Sequence, residues 1–267
     1  MIKSIDITDN FDQYSQIGSL IENEGAVILR NLISNQDALE LRNDLEICLD
    51  EDNQKYGESY VFKGMVHALM NRKQSFIDLI ADQRIQDIFK VILGQGAIIH
   101  AYNSSSMPPN ETNFSRSIHV DCPRIIPNYI TNLGLTIALD PFTSTNGAMQ
   151  IWTKSFNMQF APSEQDFNAN KIDLDNLEIG DAILFNARCW HRGGLNVTNQ
   201  WRHAVTLNIC RAYMRQQFDY PELLGEEKIK LLPENVKQFI GYYVRAPYNM
   251  SEFLAPAEKR KYKPGQE

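Results

Sequence analysis

The chain has only five histidines in 267 residues, and one of them, His119, stands two positions before an acid in the stretch SIHVDCP, Ser117 to Pro123. In an extended strand the side chains at i and i+2 share a face. His119 and Asp121 would then converge on one ion while Val120 and Cys122 face away. Alone, the pair reads equally well as a structural hydrogen bond, so it needs a third partner. The candidate is His191, in GDAILFNARCWHRGGLNVTNQWRHAVTLN, which reads as strand, Gly-rich turn, strand. With the turn centred near Asn196 and Val197, His191 falls opposite Arg202, and directly opposed residues share a face.

Two imidazoles and a carboxylate make the facial ligand set of non-haem iron oxygenases, which leaves three of six coordination positions open. A guanidinium fork beside them matches the second carboxylate of a dicarboxylic cosubstrate in two bonds. Cys189 lies on the His191 strand, so a zinc site is a competing arrangement. His67, His100 and His203 read as structural. Arg124 and Arg211 are candidates to meet an anionic substrate, against the plainer reading of surface or packing charges.

Side chains so far apart in sequence need a rigid frame. The N-terminal third supplies a short apolar strand, GAVILR, then a helix capped by Ser34 with Ala38, Leu41, Leu45 and Leu49 at helical spacing. SFIDLIADQRIQDIFKVILG predicts a second helical segment, from Ser75 to a stop at Gly94. From Gly96 onward the segments GAIIHAY, RSIHV, LGLTIAL, AMQIWT, AILFNAR and RHAVTLNICRAY are short, β-rich and separated by turn residues. This pattern predicts a mainly β fold with flanking α-helices, with a sandwich or jelly roll at its core. The long connections NSSSMPPNETNFS and FNMQFAPSEQDFNANKIDLD predict lids or binding loops. LPENVKQFIGYY reads as a C-terminal helix before a basic tail. No linker divides the chain, so one domain is expected over 1–267: a helix-rich support over 1–95, a β core over 96–215, and a helix and tail over 216–267.

Composition sets the limits. A net charge of −7 disfavours nucleic acid and anionic membranes as partners, because binding phosphate takes a basic surface. No apolar run reaches the ~18 residues of a membrane span, and the N-terminus lacks the apolar region of a signal peptide. A cytoplasmic monomer or homodimer acting on a small, polar or anionic molecule is the expectation. The four cysteines, Cys48, Cys122, Cys189 and Cys210, form no C-x-x-C pair and read as reduced thiols.

These fragments together resemble the phytanoyl-CoA dioxygenase family of Fe(II)/2-oxoglutarate-dependent oxygenases. The similarity runs through ENEGAVILRNLISNQDALELRNDL, IADQRIQDIFKVILG, the IHVD motif, LTIALDPFTSTNGAMQIWTKS, and IGDAILFNARCWHRGGLNVTNQWRHAVTLN with its arginine eleven residues after the distal histidine. The resemblance implies a double-stranded β-helix, a cupin-like jelly roll. It implies Fe(II) held by His119, Asp121 and His191, with 2-oxoglutarate as cosubstrate, its far carboxylate on Arg202, and O2 as oxidant. It further implies contacts from Asn103 and Thr136 to the cosubstrate, and from Lys63. The implied reaction oxidises an unactivated C–H bond and releases succinate and CO2. Halogenating relatives carry Gly or Ala in place of the acid, so Asp121 implies hydroxylation, or another oxidation such as desaturation or ring closure. The chain departs from the family pattern at TKSF, at Gly193, where Ser is frequent, and at Thr136, where Trp is frequent. A metal-dependent cupin-like isomerase or hydrolase is the competing reading, and it would need no Arg202. A binding protein on the same fold would be expected to lack a ligand.

Overall fold

In the computed structural model, residues 1–7, 12–57, 60–260, 262–263 and 266 are described. Among the described residues, nine strands form two sheets. The larger takes β1 (Ser4–Asp6), β2 (Ala26–Arg30), β3 (Ile98–Ser104), β4 (Asn132–Ala138), β7 (Ala182–Asn186) and β9 (Ala204–Cys210) in the order β1-β2-β7-β4-β9-β3. The smaller takes β5 (Met149–Trp152), β6 (Ile172–Asp173) and β8 (Trp190–Gly193) in the order β6-β5-β8. All pairings in both sheets are antiparallel except β1 with β2.

The inner strands of the larger sheet are buried on both faces, and the period of two in their sequence says how. Leu133, Leu135 and Ile137 on β4, and Val205, Leu207 and Ile209 on β9, point into a core shared with the helices. Ala138, Ile183, Phe185 and Ala204 point the other way and pack with Met149 and Ile151 of the smaller sheet. The space between the sheets belongs to this second set. Gly134, Thr136, Thr206 and Asn208 share its parity, and they leave that space partly open and polar.

The helical layer comprises α1 (Asp12–Glu24), α2 (Asn35–Tyr56), α3 (Gln74–Ala81) and α4 (Gln83–Leu93). It is joined by α6 (Tyr220–Leu224), α7 (Glu226–Leu231) and α8 (Glu234–Phe239), while α5 (Glu164–Asn170) and α9 (Met250–Phe253) lie in later connections. The Ser34 cap forms as expected, its hydroxyl accepting from Asp37 N–H. The expected single helix to Gly94 is two helices. Asp82 adopts an extended conformation and accepts from Arg84 N–H, so its carboxylate starts α4 where it would otherwise interrupt one long helix. The C-terminal region is a series of short helices, and four residues of its tail (261, 264, 265 and 267) lie outside the described set. The expectation of a mainly β chain is corrected to mixed α/β, because helices on the outer face of the large sheet outweigh the strands. Among the described residues no helix is long and apolar enough to cross a membrane.

A charged strut ties α2 to the sheet. Arg42 Nε lies 2.9 Å from Asp140 Oδ1, and Asp140 Oδ2 accepts from the backbone N–H of His203 at 2.8 Å. The His203 ring meets the Ser106 hydroxyl at 2.9 Å and lies 3.5 Å from Glu46. Burial pushes the His203 pKa down to about 4, with Arg42 and Arg202 acting in the same direction and Asp140 opposing. The unfolded imidazole takes a proton near pH ~6.5. Between those values the unfolded chain binds the proton and the folded one does not, so stability falls as pH drops through that window. Urea midpoints should decline from pH 7 to pH 4.5, and less steeply in His203→Gln. An equal decline in the variant would remove His203 as the cause.

Candidate metal centre

The triad is assembled from two segments that backbone bonds hold together. His119 N–H donates to His191 O, and His191 N–H donates to His119 O, each at 3.0 Å. Such a reciprocal pair sets both side chains on one face, and the two rings lie 4.2 Å apart. The stretch around His119 is a single bridge, not the strand the alternation suggests. Asp121 is placed by a turn, its N–H donating to Ala187 O at 2.9 Å. A ligand oxygen or nitrogen from each of His119, Asp121 and His191 lies within 4.8 Å of the other two.

The hydrogen bonds also fix which nitrogens face the centre. His119 Nδ1 meets Ser117 O at 2.7 Å, and His191 Nδ1 meets Cys189 O at 3.0 Å. A carbonyl only accepts, so each Nδ1 carries the proton and each neutral ring keeps its Nε2 lone pair free. Both Nε2 atoms lie 3.6 Å from Asp121 Oδ1. Burial pushes the His191 pKa down to about 4, with Asp121 opposing, which keeps the ring neutral and ready to ligate. This N2O donor set fits a divalent transition-metal ion. Cys189 takes no part: its thiol donates to Gly25 O, and burial pushes its pKa to about 12.

Phe185 backs the centre, its ring edge-on to His191 at 4.9 Å. It can lie there because β4 carries glycine opposite: a Cβ on Gly134 would come within 2.3 Å of Phe185 Cζ. Gly134→Ala should therefore destabilise the protein by about 1–3 kcal/mol and weaken metal binding by turning the ring into His191. Urea unfolding and a metal titration check this, and an unchanged midpoint would refute it.

Arg202 is 2% exposed. Its guanidinium lies over Phe142 at 4.2 Å and donates to Ser105 O at 2.9 Å and Gly147 O at 2.8 Å. Its Nε is buried without a hydrogen-bond partner, and no salt bridge to a described residue holds it. Burial pulls its pKa down to about 9. Asp140 opposes that shift without forming a salt bridge; a buried cation so weakly compensated is costly, and the arrangement fits an anionic ligand arriving later. The expected hairpin register is corrected. His191 pairs with Ile151 of β5, whereas Arg202 bridges Met107. Between them the chain leaves the smaller sheet for the larger, around the buried Asn196, whose amide donates to the carbonyls of Met107, Pro108 and Gln200.

A chamber of about 250 Å3 opens beside His119 and Asp121, lined also by Asn103, Ser105, Thr136, Phe185, Thr206, Asn208 and Gln217. Arg202 does not line it; Ser105, which it bonds, does. Asn103 is held by Ala68 N–H and by Gln217. Lys63 pairs with Glu111 at 2.8 Å and lines an outer vestibule of about 640 Å3 with Met65, Phe114, Arg116 and His119. Arg124 and Arg211 line a different cavity. Arg211 there donates to the carbonyls of Ile130, Leu93 and Ile92. Thr206 and Asn208 escape the sequence reading. Their signal is the polar alternation in AVTLNIC, in step with Arg202.

A two-histidine, one-carboxylate centre between facing sheets has the donor set used by non-haem iron oxygenases. The family model for phytanoyl-CoA dioxygenase (PhyH) matches residues 21–204, and the chain belongs to that family. It is 28% identical over 208 residues to the uncharacterised protein Rv1501 of Mycobacterium tuberculosis, which covers 76% of each chain. It is 23% identical over 252 residues to dioxygenase ALT11 of Alternaria alternata, covering 85% of this chain and 81% of that one. Its fold is similar to that of SnoN, a non-haem α-ketoglutarate-dependent epimerase from nogalamycin biosynthesis (TM-score 0.58, 15% identity, covering 76% of this chain and 84% of that one).

Proposed function

We propose that the protein is an Fe(II)/2-oxoglutarate-dependent dioxygenase that hydroxylates an unactivated C–H bond of a small, polar or anionic metabolite, and that its two sheets are the family's double-stranded β-helix. The observation that carries the reading is the pairing of a facial triad with a buried guanidinium that forms no salt bridge among the described residues. A cupin-like isomerase or hydrolase would have no use for that cation.

His119, Asp121 and His191 would hold the iron through Nε2, a carboxylate oxygen and Nε2. When bound, iron and 2-oxoglutarate would activate O2 for C–H cleavage, one oxygen atom going to the substrate and the other to succinate, with release of CO2. The chain does the rest. Arg202 receives the far carboxylate of the cosubstrate. Asp121 fills the third protein position, which favours hydroxylation over halogenation. Asn103, Thr136, Thr206, Asn208 and Gln217 offer hydrogen bonds that orient a polar substrate, while Phe185 and Met65 keep water from the centre. Lys63, Arg124 and Arg211 retain at most outer roles: Lys63 at the vestibule, the two arginines in a separate cavity.

Anaerobic addition of Fe(II) and then 2-oxoglutarate should produce a weak visible charge-transfer band, and air should then release succinate. A protein that binds iron yet gives neither band nor succinate would contradict the proposal.

A further inference from the structure

Strand β8 carries His191 and, two residues on and on the same face, Gly193. Gly193 pairs with Met149. Two residues before Met149, Gly147 offers its carbonyl to Arg202. Gly193 therefore stands on the path from the metal ligands to the guanidinium, and it brings no side chain to that wall. The space is filled from another segment: a Cβ on Gly193 would come 2.3 Å from Met107 Cε and 2.5 Å from Ser115 Oγ. Ser115 also lines the chamber with His119 and Asp121.

The Ser115 hydroxyl is held but replaceable. It donates to Asn113 Oδ1 at 2.6 Å, and that oxygen also accepts from Ser115 N–H at 2.9 Å. The hydroxyl can thus turn to an incoming anion without leaving Asn113 Oδ1 unsatisfied. Asn113 is 5% exposed. Its amide donates to Ser105 Oγ at 3.3 Å and Ser106 O at 3.1 Å. Since Ser105 O takes Arg202, one hydrogen-bonded chain links Arg202, Ser105, Asn113 and Ser115.

We propose that Ser115 binds the cosubstrate: its hydroxyl, which takes the place a side chain on Gly193 would occupy, donates to a carboxylate of 2-oxoglutarate lying between the metal ligands and Arg202. This rests on the oxygenase reading above. Ser115→Ala should bind Fe(II) as the wild type does but require about ten-fold more 2-oxoglutarate to half-develop the anaerobic charge-transfer band. Ser115→Thr, which keeps a hydroxyl, should recover most of that loss. A normal wild-type band with an unchanged titration for Ser115→Ala overturns this inference alone, as does a variant that also loses Fe(II). A wild-type protein without any band overturns the oxygenase reading and this inference together.

Discussion

His191→Ala should eliminate the Fe(II)·2-oxoglutarate band and all succinate release while leaving the fold intact. Losing an outer partner of a metal ligand already costs ~10- to 100-fold in affinity, and removing the ligand itself should exceed that. The fold should survive because the pairing with His119 runs through main-chain atoms that alanine retains. Far-UV circular dichroism should match the wild type, and Co(II) titration should show the affinity lost. A variant that keeps the band would show that the ion, if bound, sits elsewhere.

Arg202→Met should separate the cosubstrate from the metal. Truncating one member of a buried charge pair costs about 2–5 kcal/mol, or roughly 30- to several-thousand-fold in affinity. The 2-oxoglutarate titration should shift by that factor while Fe(II) binding alone stays constant. Arg202→Lys should fall between them, because an ammonium keeps the charge but not the fork that spans Ser105 O and Gly147 O. Without cosubstrate, Arg202→Met removes a desolvated cation but strands two carbonyls, so its thermal midpoint should move little. An unchanged 2-oxoglutarate titration would assign the far carboxylate to another residue.

The residues of the centre were legible because their types are rare and their spacing short. The reason they meet was less legible. His119 and Asp121 converge through one bridge and a turn, where alternation suggested a strand. His191 and Arg202 are close in sequence yet not paired, His191 lying in the smaller sheet and Arg202 in an isolated bridge to Met107, because Asn196 organises a crossing that a glycine-rich hairpin pattern conceals. Helix α2 was readable from its cap and periodicity, whereas the break at Asp82 was not, since an aspartate inside a helical pattern is ordinary until its carboxylate turns back on the chain. Ser115 carries no local signal at all. Its relation to Gly193 exists only in three dimensions.

The mutual backbone pairing of His119 and His191 holds the two imidazoles 4.2 Å apart by protein contacts alone. A socket so prepared has little means of rejecting the wrong ion. Nickel, copper and zinc bind nitrogen-rich sites at least as tightly as ferrous iron. Under the proposed function, loading with iron would be decided by cellular supply, and protein recovered from a nickel column should need chelation and reconstitution before any turnover is measured.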